Sequence, residues 1–252
     1  MQGEHMLSQD RYRKIMSVLE DKHSIKVNEM AEILNVSVDT IRRDLKYLET
    51  KRLLLRTHGG AVLDDLLYEN KTIPERKKMM TSSKVNLGKE IVHELNDGDV
   101  LFLDGSTTTM LMLPLLKDLK NLTIITNSMF TGIEILEKKL DAKLHILGGK
   151  VIQPIGSVVG IEALKSLNLF KIDKAILSCY AVSKEGFYDI DSEEAIFKRE
   201  VIDSAKQTYF LMDASKLNVK SSMFITEMND KITLVLEERA FEVNKGKLIV
   251  KK

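Results

Sequence analysis

VSVDTIRRDLKYLE, residues 36–49, followed by RTHGGA, residues 56–61, is the stretch on which the reading of the fold turns. Val38, Ile41, Leu45 and Leu48 recur at the spacing of one buried helical stripe, and Ser37 is placed to cap that helix. The opposite face carries Asp39, Arg42, Arg43 and Lys46 at i, i+3, i+4 and i+7. Upstream, Tyr12, Ile15, Met16 and Leu19 form the apolar stripe of a helix beginning at Ser8. Met30, Ala31, Ile33 and Leu34 form that of a shorter helix with Asn28 as its cap. Downstream, Leu53–Arg56 and Ala61–Val62 flank Thr57-His58-Gly59-Gly60 and read as a two-stranded hairpin. Three short helices and a hairpin describe a winged helix-turn-helix domain over residues 7–62.

The charged stripe admits two readings. Arginine reads guanine O6 and N7 through two parallel hydrogen bonds, lysine suits phosphate as a point charge, and Ser37 and Thr40 in the first turn suit phosphate oxygens. A solvated face on an ordinary three-helix module has the same periodicity. Charge balance permits the first reading without deciding it. Residues 7–62 hold 11 Lys/Arg against 8 Asp/Glu, a balance of +3, while residues 63–252 hold 27 against 28, a balance of −1.

Residues 63–81 lose periodicity, carry Asp64, Asp65, Pro74 and Arg76-Lys77-Lys78, and read as a linker with one helical turn. Residues 82–252 read as a larger Rossmann-like α/β domain for effector sensing and oligomerisation. Strand candidates at Val100–Leu103, Leu122–Thr126, Leu144–Leu147, Ala175–Ser178 and Tyr209–Met212 alternate with helices at 85–95, 128–139, 161–168 and 192–206. That alternation implies a mostly parallel sheet covered on both faces. Pro114 should kink or shorten the helix that follows Asp104.

Asp104-Gly105-Ser106-Thr107-Thr108 is a strand end, a glycine turn and a hydroxyl-rich helix start, the composition of an anion site. A plain strand-to-helix turn capped by Thr107 or Thr108 fits the same residues. Thr126-Asn127-Ser128, Gly148-Gly149 and Asp213-Ala214-Ser215-Lys216 fall where a parallel sheet gathers its ligand-binding loops. Glu194 and Lys198 have the spacing of an ordinary helix pair, and Lys216 that of an exposed loop lysine. Cys179, beside an apolar strand, reads as a buried small hydrophobe.

Composition excludes several classes. Among 252 residues, 44% are hydrophobic and 30% charged, which describes a folded chain rather than a fibrous or disordered one. One cysteine excludes an intrachain disulfide framework. The longest apolar stretch, Met110–Leu116, is far short of the ~20 residues that span a bilayer. The opening MQGEHMLSQDRYRK has no apolar signal core, so a cytoplasmic protein without membrane partners is expected. His5, His23, His58, His93 and His145 are scattered, and neither a metal nor a cofactor is expected.

Residues 36–49 with 56–61 resemble the amino-terminal signature of the DeoR family of bacterial transcription regulators. DGSTTT, TNS, LGG, Val159-Gly160, Asp173-Lys174-Ala175, Glu185-Gly186, Glu194 with Lys198, and DASK resemble its carboxy-terminal domain. The resemblance implies that Ser37, Asp39, Thr40, Arg42, Arg43 and Lys46 face double-stranded operator DNA, with a wing contributing Arg56, His58 and Gly59. It implies an effector domain similar to ribose-5-phosphate isomerase A and CoA transferases, which in these regulators binds phosphorylated sugars. Asp104, Gly105, Ser106, Thr107, Thr108, Asn127, Gly149, Lys198 and Lys216 are then the pocket residues. Two departures stand out, Ser106 in place of a glycine and Ser178-Cys179-Tyr180-Ala181 in place of a glycine-richer segment; the tail from 238 to 252 has no counterpart. A homodimer or homotetramer is expected, since one winged helix contacts few base pairs. The rival reading is a sugar-phosphate isomerase or transferase-like enzyme with a DNA-binding appendage. An isomerase needs a carboxylate base beside the sugar. In the similar isomerases acidic residues cluster just after the strand equivalent to Ala175–Ser178, and here none occurs before Glu185, so a repressor without catalytic residues is expected.

Overall fold

The computed structural model describes residues 7–22, 24–51, 53–57, 59–62, 72–78, 81–213, 216–217, 219, 221–236 and 245–250, without the side chains of residues 20 and 21. His58, residues 63–71 and 79–80 of the linker, Ala214, Ser215, and residues 238–244 and 251–252 of the tail lie outside the described residues. The chain divides into two compact units, Met1–Met80 and Thr81–Lys252.

The first unit runs α1 (Ser8–Lys22), β1 (Ser24–Lys26), α2 (Val27–Leu34), α3 (Val38–Thr50), β2 (Leu55–Thr57), β3 (Gly60–Val62) and a single turn, α4 (Ile73–Lys77). Its core is Ile15, Leu19, Ile25, Met30, Ala31, Leu34, Ile41, Leu45, Leu48, Leu54 and Ala61. Asn35 ends α2 in the left-handed region, φ +50°, which its short polar side chain tolerates. Its N–H and that of Val36 return to the Glu32 and Ala31 carbonyls. This turn swings the chain into α3, and the Ser37 side chain caps that helix by accepting from the Thr40 N–H at 3.1 Å.

Three expectations change here. The wing is a three-stranded antiparallel sheet in the order β1-β3-β2, not a hairpin alone. A three-residue strand, Ser-Ile-Lys, is too short to show alternation, but Ile25 pairs with Ala61 and Lys26 with Gly60. A Cβ on Gly60 would stand 2.0 Å from the Ile25 carbonyl oxygen, so glycine is what admits the third strand. Asn28 does not cap α2: β1 runs straight into the helix, and the Val27 N–H bonds to the Gly59 carbonyl of the wing. Ile33 lies outside the core because the helix starts at Val27, whose i+3, i+4 and i+7 partners are Met30, Ala31 and Leu34.

The second unit is built on seven parallel strands. In chain order they are β4 (Val100–Leu103), β5 (Leu122–Thr126), β6 (Ala142–Ile146), β9 (Ile172–Leu177), β12 (Ala205–Met212), β14 (Ile232–Leu236) and β15 (Lys247–Val250); in space they run β6-β5-β4-β9-β12-β14-β15. Successive side chains of the central strands enter two different cores. Phe102, Ala175, Leu177, Phe210 and Leu234 face one, while Leu101, Leu103, Ile176, Tyr209, Leu211 and Val235 face the other. Both faces are buried, so these strands read as continuous apolar runs rather than alternating ones. The helices are α5 (Thr81–Ile91), α6 (Thr107–Met112), α7 (Met129–Lys138), α8 (Ile161–Leu167) and α9 (Ser192–Ser204). Pro114 acts as expected: α6 stops at Met112 and the chain continues as a tight 3-10 turn over Leu113–Leu116.

Short antiparallel pieces absent from the strand candidates complete the unit. They are a hairpin of β7 (Lys150–Ile152) and β8 (Ser157–Val159), and a sheet of β10 (Ala181–Ser183), β11 (Gly186–Asp189) and β13 (Met223–Thr226). The tail also has a described role, since Lys247–Val250 pairs with β14 as the last strand of the main sheet.

Candidate functional site

On α3 the buried stripe and the polar face separate as the helical period demands. Ile41, Leu45 and Leu48 are buried, whereas Asp39, Arg42, Arg43 and Lys46 are exposed. Asp39 accepts from Arg42 at 3.0 Å, and Arg43 and Lys46 make no ion pair among the described residues. Ser37 and Thr40 share a hydroxyl–hydroxyl hydrogen bond of 2.8 Å. One of the two O–H groups is used in it, so the other remains a donor at the start of the helix. In the wing, Arg56 is tied to Glu49, whose carboxylate accepts from the Arg56 N–H at 3.1 Å and lies 3.7 Å from its guanidinium. Gly59 is exposed and a Cβ there would meet nothing, so space imposes glycine at Gly60 and not at Gly59.

Beneath this face lies a pair that periodicity did not single out. Asp44 is 3% exposed and takes two hydrogen bonds from the Arg11 guanidinium of α1, one from Nε and one from Nη2 at 3.0 Å. Asp44 sits between Ile41 and Leu45 on the inner stripe, and a charge at an apolar position is the signal that marks such a clamp. The hydrogen bond that Arg11 donates to Asp44 raises the Arg11 pKa above its ordinary value, against the opposing effect of burial.

In the second unit the chain order reverses between β4 and β9, the place where an open parallel sheet leaves a crevice at its carboxyl edge. Asp104 follows β4 and bridges that point. One carboxylate oxygen accepts from the Ser106 N–H at 2.9 Å and the Thr109 hydroxyl at 2.7 Å, the other from the Ser178 N–H at 2.7 Å. Ser106, not Thr107 or Thr108, caps α6 by accepting from the Thr109 N–H at 3.1 Å. The hydroxyl that distinguishes Ser106 from glycine therefore shapes the helix start, where the Thr107 and Thr108 amides have no intrahelical acceptor. Gly105 approaches Ser128 closely, since a Cβ on it would lie 3.1 Å from that side chain.

Asn127, after β5, is buried and donates to Ser157 Oγ at 2.9 Å and to the Val158 carbonyl at 3.2 Å, fastening the β7–β8 hairpin to the sheet. Lys198 on α9 is buried with Asp189 at 2.5 Å and Glu194 at 3.7 Å. Burial pulls the Lys198 pKa down, but Asp189, Glu194 and Asp104 outweigh it and raise the pKa, so the ammonium stays charged. Burial raises the Glu194 pKa, and Lys198 and the Ser157 hydroxyl offset only part of the rise. Lys216 is buried and lies 5.7 Å over the Tyr180 ring. Cys179 is buried as expected, its thiol pushed up to about 12 by desolvation, with Lys198 and Lys216 both near enough to oppose the shift.

The fold thus gathers Asp104, Ser106, Thr107, Thr108, Asn127, Lys198 and Lys216 along one edge of the sheet. Gly149 is exposed, its φ is +153°, and a Cβ would lie 2.5 Å from the Val159 carbonyl oxygen, so the close approach at the open end of the β7–β8 hairpin requires glycine. Asp189 and Ser157 escaped the sequence reading, and Ser178 entered it only as a departure from the family pattern. Residues 178–183 hold no carboxylate, and β11 and α9 bring Asp189 and Glu194 to Lys198 from outside that segment. Glu194 and Lys198 are buried, which distinguishes them from a solvated helix pair.

A winged helix-turn-helix unit joined to a parallel α/β unit with a polar edge site defines a class of two-part regulatory proteins. Residues 11–66 match the DeoR-like helix-turn-helix domain and residues 79–238 match the DeoR C terminal sensor domain. The chain belongs to the DeoR family of transcriptional regulators. It is 31% identical to the HTH-type transcriptional regulator FruR of Bacillus subtilis (strain 168), itself uncharacterised, over 98% of each chain. It is 28% identical to the glycerol-3-phosphate regulon repressor of Escherichia coli (strain K12) over 84% of this chain and 83% of the other. Among solved structures, ribose 5-phosphate isomerase A from Methanocaldococcus jannaschii aligns at 18% identity over 54% of each chain with a TM-score of 0.39.

Proposed function

We propose that this protein is a repressor that binds operator DNA through α3 and the wing and is released by a phosphorylated sugar bound at the edge of the parallel sheet. The observation that carries the reading is the exposed row Arg42, Arg43 and Lys46 on a helix whose opposite side is locked by the buried Arg11–Asp44 pair. Arg43 and Lys46 are free to meet base edges and phosphates, while Arg42 exchanges Asp39 for DNA. The remaining Ser37 or Thr40 hydroxyl donates to a phosphate, and Arg56 and Gly59 approach the backbone.

In the effector site, the Thr107 and Thr108 amides, with Gly105 allowing close approach and Lys216 supplying charge, receive the phosphate. Asp104 orders this turn through its three hydrogen bonds, and Asn127 and Lys198 meet the sugar. No catalytic step belongs to this reading. Two copies bind paired half-sites as a homodimer or homotetramer assembled through the second unit. A coupling of about 1–3 kcal/mol between effector and DNA suffices to switch affinity about 5- to 150-fold.

Fluorescence anisotropy on the DNA preceding its own gene, with and without a panel of sugar phosphates, tests the proposal. Nanomolar binding that one sugar phosphate weakens is the expected result. Failure to bind that DNA, or turnover of a sugar phosphate at enzymatic rates, refutes it.

A further inference from the structure

Two buried oxygens of the effector site have no hydrogen-bond partner among the described residues: Asn127 Oδ1 and Glu194 Oε1. Asn127 is 2% exposed and Glu194 6%. The Asn127 amide cannot turn to relieve its oxygen, because its Nδ2 is committed to Ser157 Oγ and to the Val158 carbonyl; a flip would face two carbonyl oxygens together. Ser157 Oγ, which accepts from Asn127 Nδ2, is also a hydrogen-bond partner of the Glu194 carboxylate, so Asn127 and Glu194 share one hydroxyl neighbour. Beside them is the Lys198 ammonium, whose one hydrogen bond among the described residues goes to Asp189, leaving further N–H donors. Buried acceptors left open are costly, and the constellation is complementary to groups that donate and accept at once.

We infer that Asn127 Oδ1 and Glu194 Oε1 form a paired acceptor that takes two hydroxyl donors from the sugar part of the effector, with Lys198 donating to the same hydroxyls. This deepens the effector-site reading above and rests on it. The ligand class is then a phosphate ester of a polyol or sugar with free hydroxyls at these positions. A monodeoxy analogue leaves one acceptor and one Lys198 N–H unmet. A carbonyl at either position accepts but does not donate. An amino analogue brings a second cation against Lys198.

The test uses the full chain and calorimetric titration. Probes are inorganic phosphate, ribose 5-phosphate, glucose 6-phosphate, fructose 6-phosphate and glycerol 3-phosphate, then the monodeoxy analogues of the tightest binder, one for each hydroxyl. At least two of those analogues bind about tenfold or more weaker than the parent, the loss expected when a buried polar group goes unpaired. Glu194→Gln, which exchanges a charged acceptor for a weaker neutral one, brings at least one of those losses to within about threefold. Monodeoxy analogues that all match the parent overturn the inference using the native protein alone, whatever the variant does. Losses that persist undiminished in a folded Glu194→Gln protein overturn it as well. If no probe binds, inorganic phosphate included, the effector-site reading has failed and this inference falls with it; if phosphate binds and discrimination is absent, only the inference fails.

Discussion

The two units hold their charges in opposite ways. On α3, Arg42, Arg43 and Lys46 stand in water, with Asp39 as the sole acidic member of the face. At the sheet edge of the second unit, Asp104, Asp189, Glu194, Lys198 and Lys216 are all buried. Exposed cations cost little to maintain and bind a polyanion reversibly, with an affinity that salt erodes. Buried charges are expensive unless their partners are placed with accuracy, so this cluster depends on the fold around it. The pair Arg11–Asp44 departs from the first unit's pattern, a buried bridge under an exposed face.

The contrast makes ordered predictions. Lys198→Met leaves Asp189 and Glu194 facing each other without a cation, and should destabilise the protein by about 3–5 kcal/mol in chemical denaturation, or prevent folding of the second unit. Arg11→Met strands the buried Asp44 carboxylate and should cost about 2–4 kcal/mol, read as early melting of the first unit. Arg43→Ala, on the exposed face, should leave stability within about 0.5 kcal/mol yet weaken operator binding by about 1–3 kcal/mol, with a shallower salt dependence. Equal losses of stability from Arg43→Ala and Lys198→Met would erase the distinction between the two sites.

A fourth experiment reads pH. The folded-state pKa of Glu194 is raised by burial, so its contribution to stability is complete below the unfolded carboxylate value and is lost as pH rises through the folded one. Glu194→Gln should flatten that part of the stability–pH profile; an unchanged profile would show that Glu194 does not titrate there. The smallest effect belongs to Asp39→Asn. Its exposed pair with Arg42 is worth about 0–1 kcal/mol, and its removal should leave melting unchanged while tightening DNA binding slightly, as Arg42 is released.

Legibility follows the same divide. The α3 face was readable because a helix imposes a 3.6-residue period on exposure, and Asp39, Arg42, Arg43 and Lys46 obey it along a single element. Ser37 was readable as a cap because capping is a contact over three residues. Ile33 and Asn28 misled because they share composition with core and cap positions one step away, and the start of α2 depends on β1, which is too short to announce itself. In the second unit, the β4, β5 and β12 runs stood out as apolar blocks, whereas β7, β8, β10, β11 and β13 are three or four residues long, too short to show a period, and β13 finds its partner β11 far back along the chain.

Local order alone therefore prescribes α3 with its exposed polar face and the apolar runs that become β4, β5 and β12, since period and composition are set by residues a few positions apart. The composition of the proposed effector site is settled elsewhere. Asp104 meets Ser178 across 74 positions, Asn127 meets Ser157 across 30, and Lys198 meets Asp189 only because β11 returns beside α9. Such partners are chosen by the order of strands in the sheet, and no periodicity along the chain encodes that order.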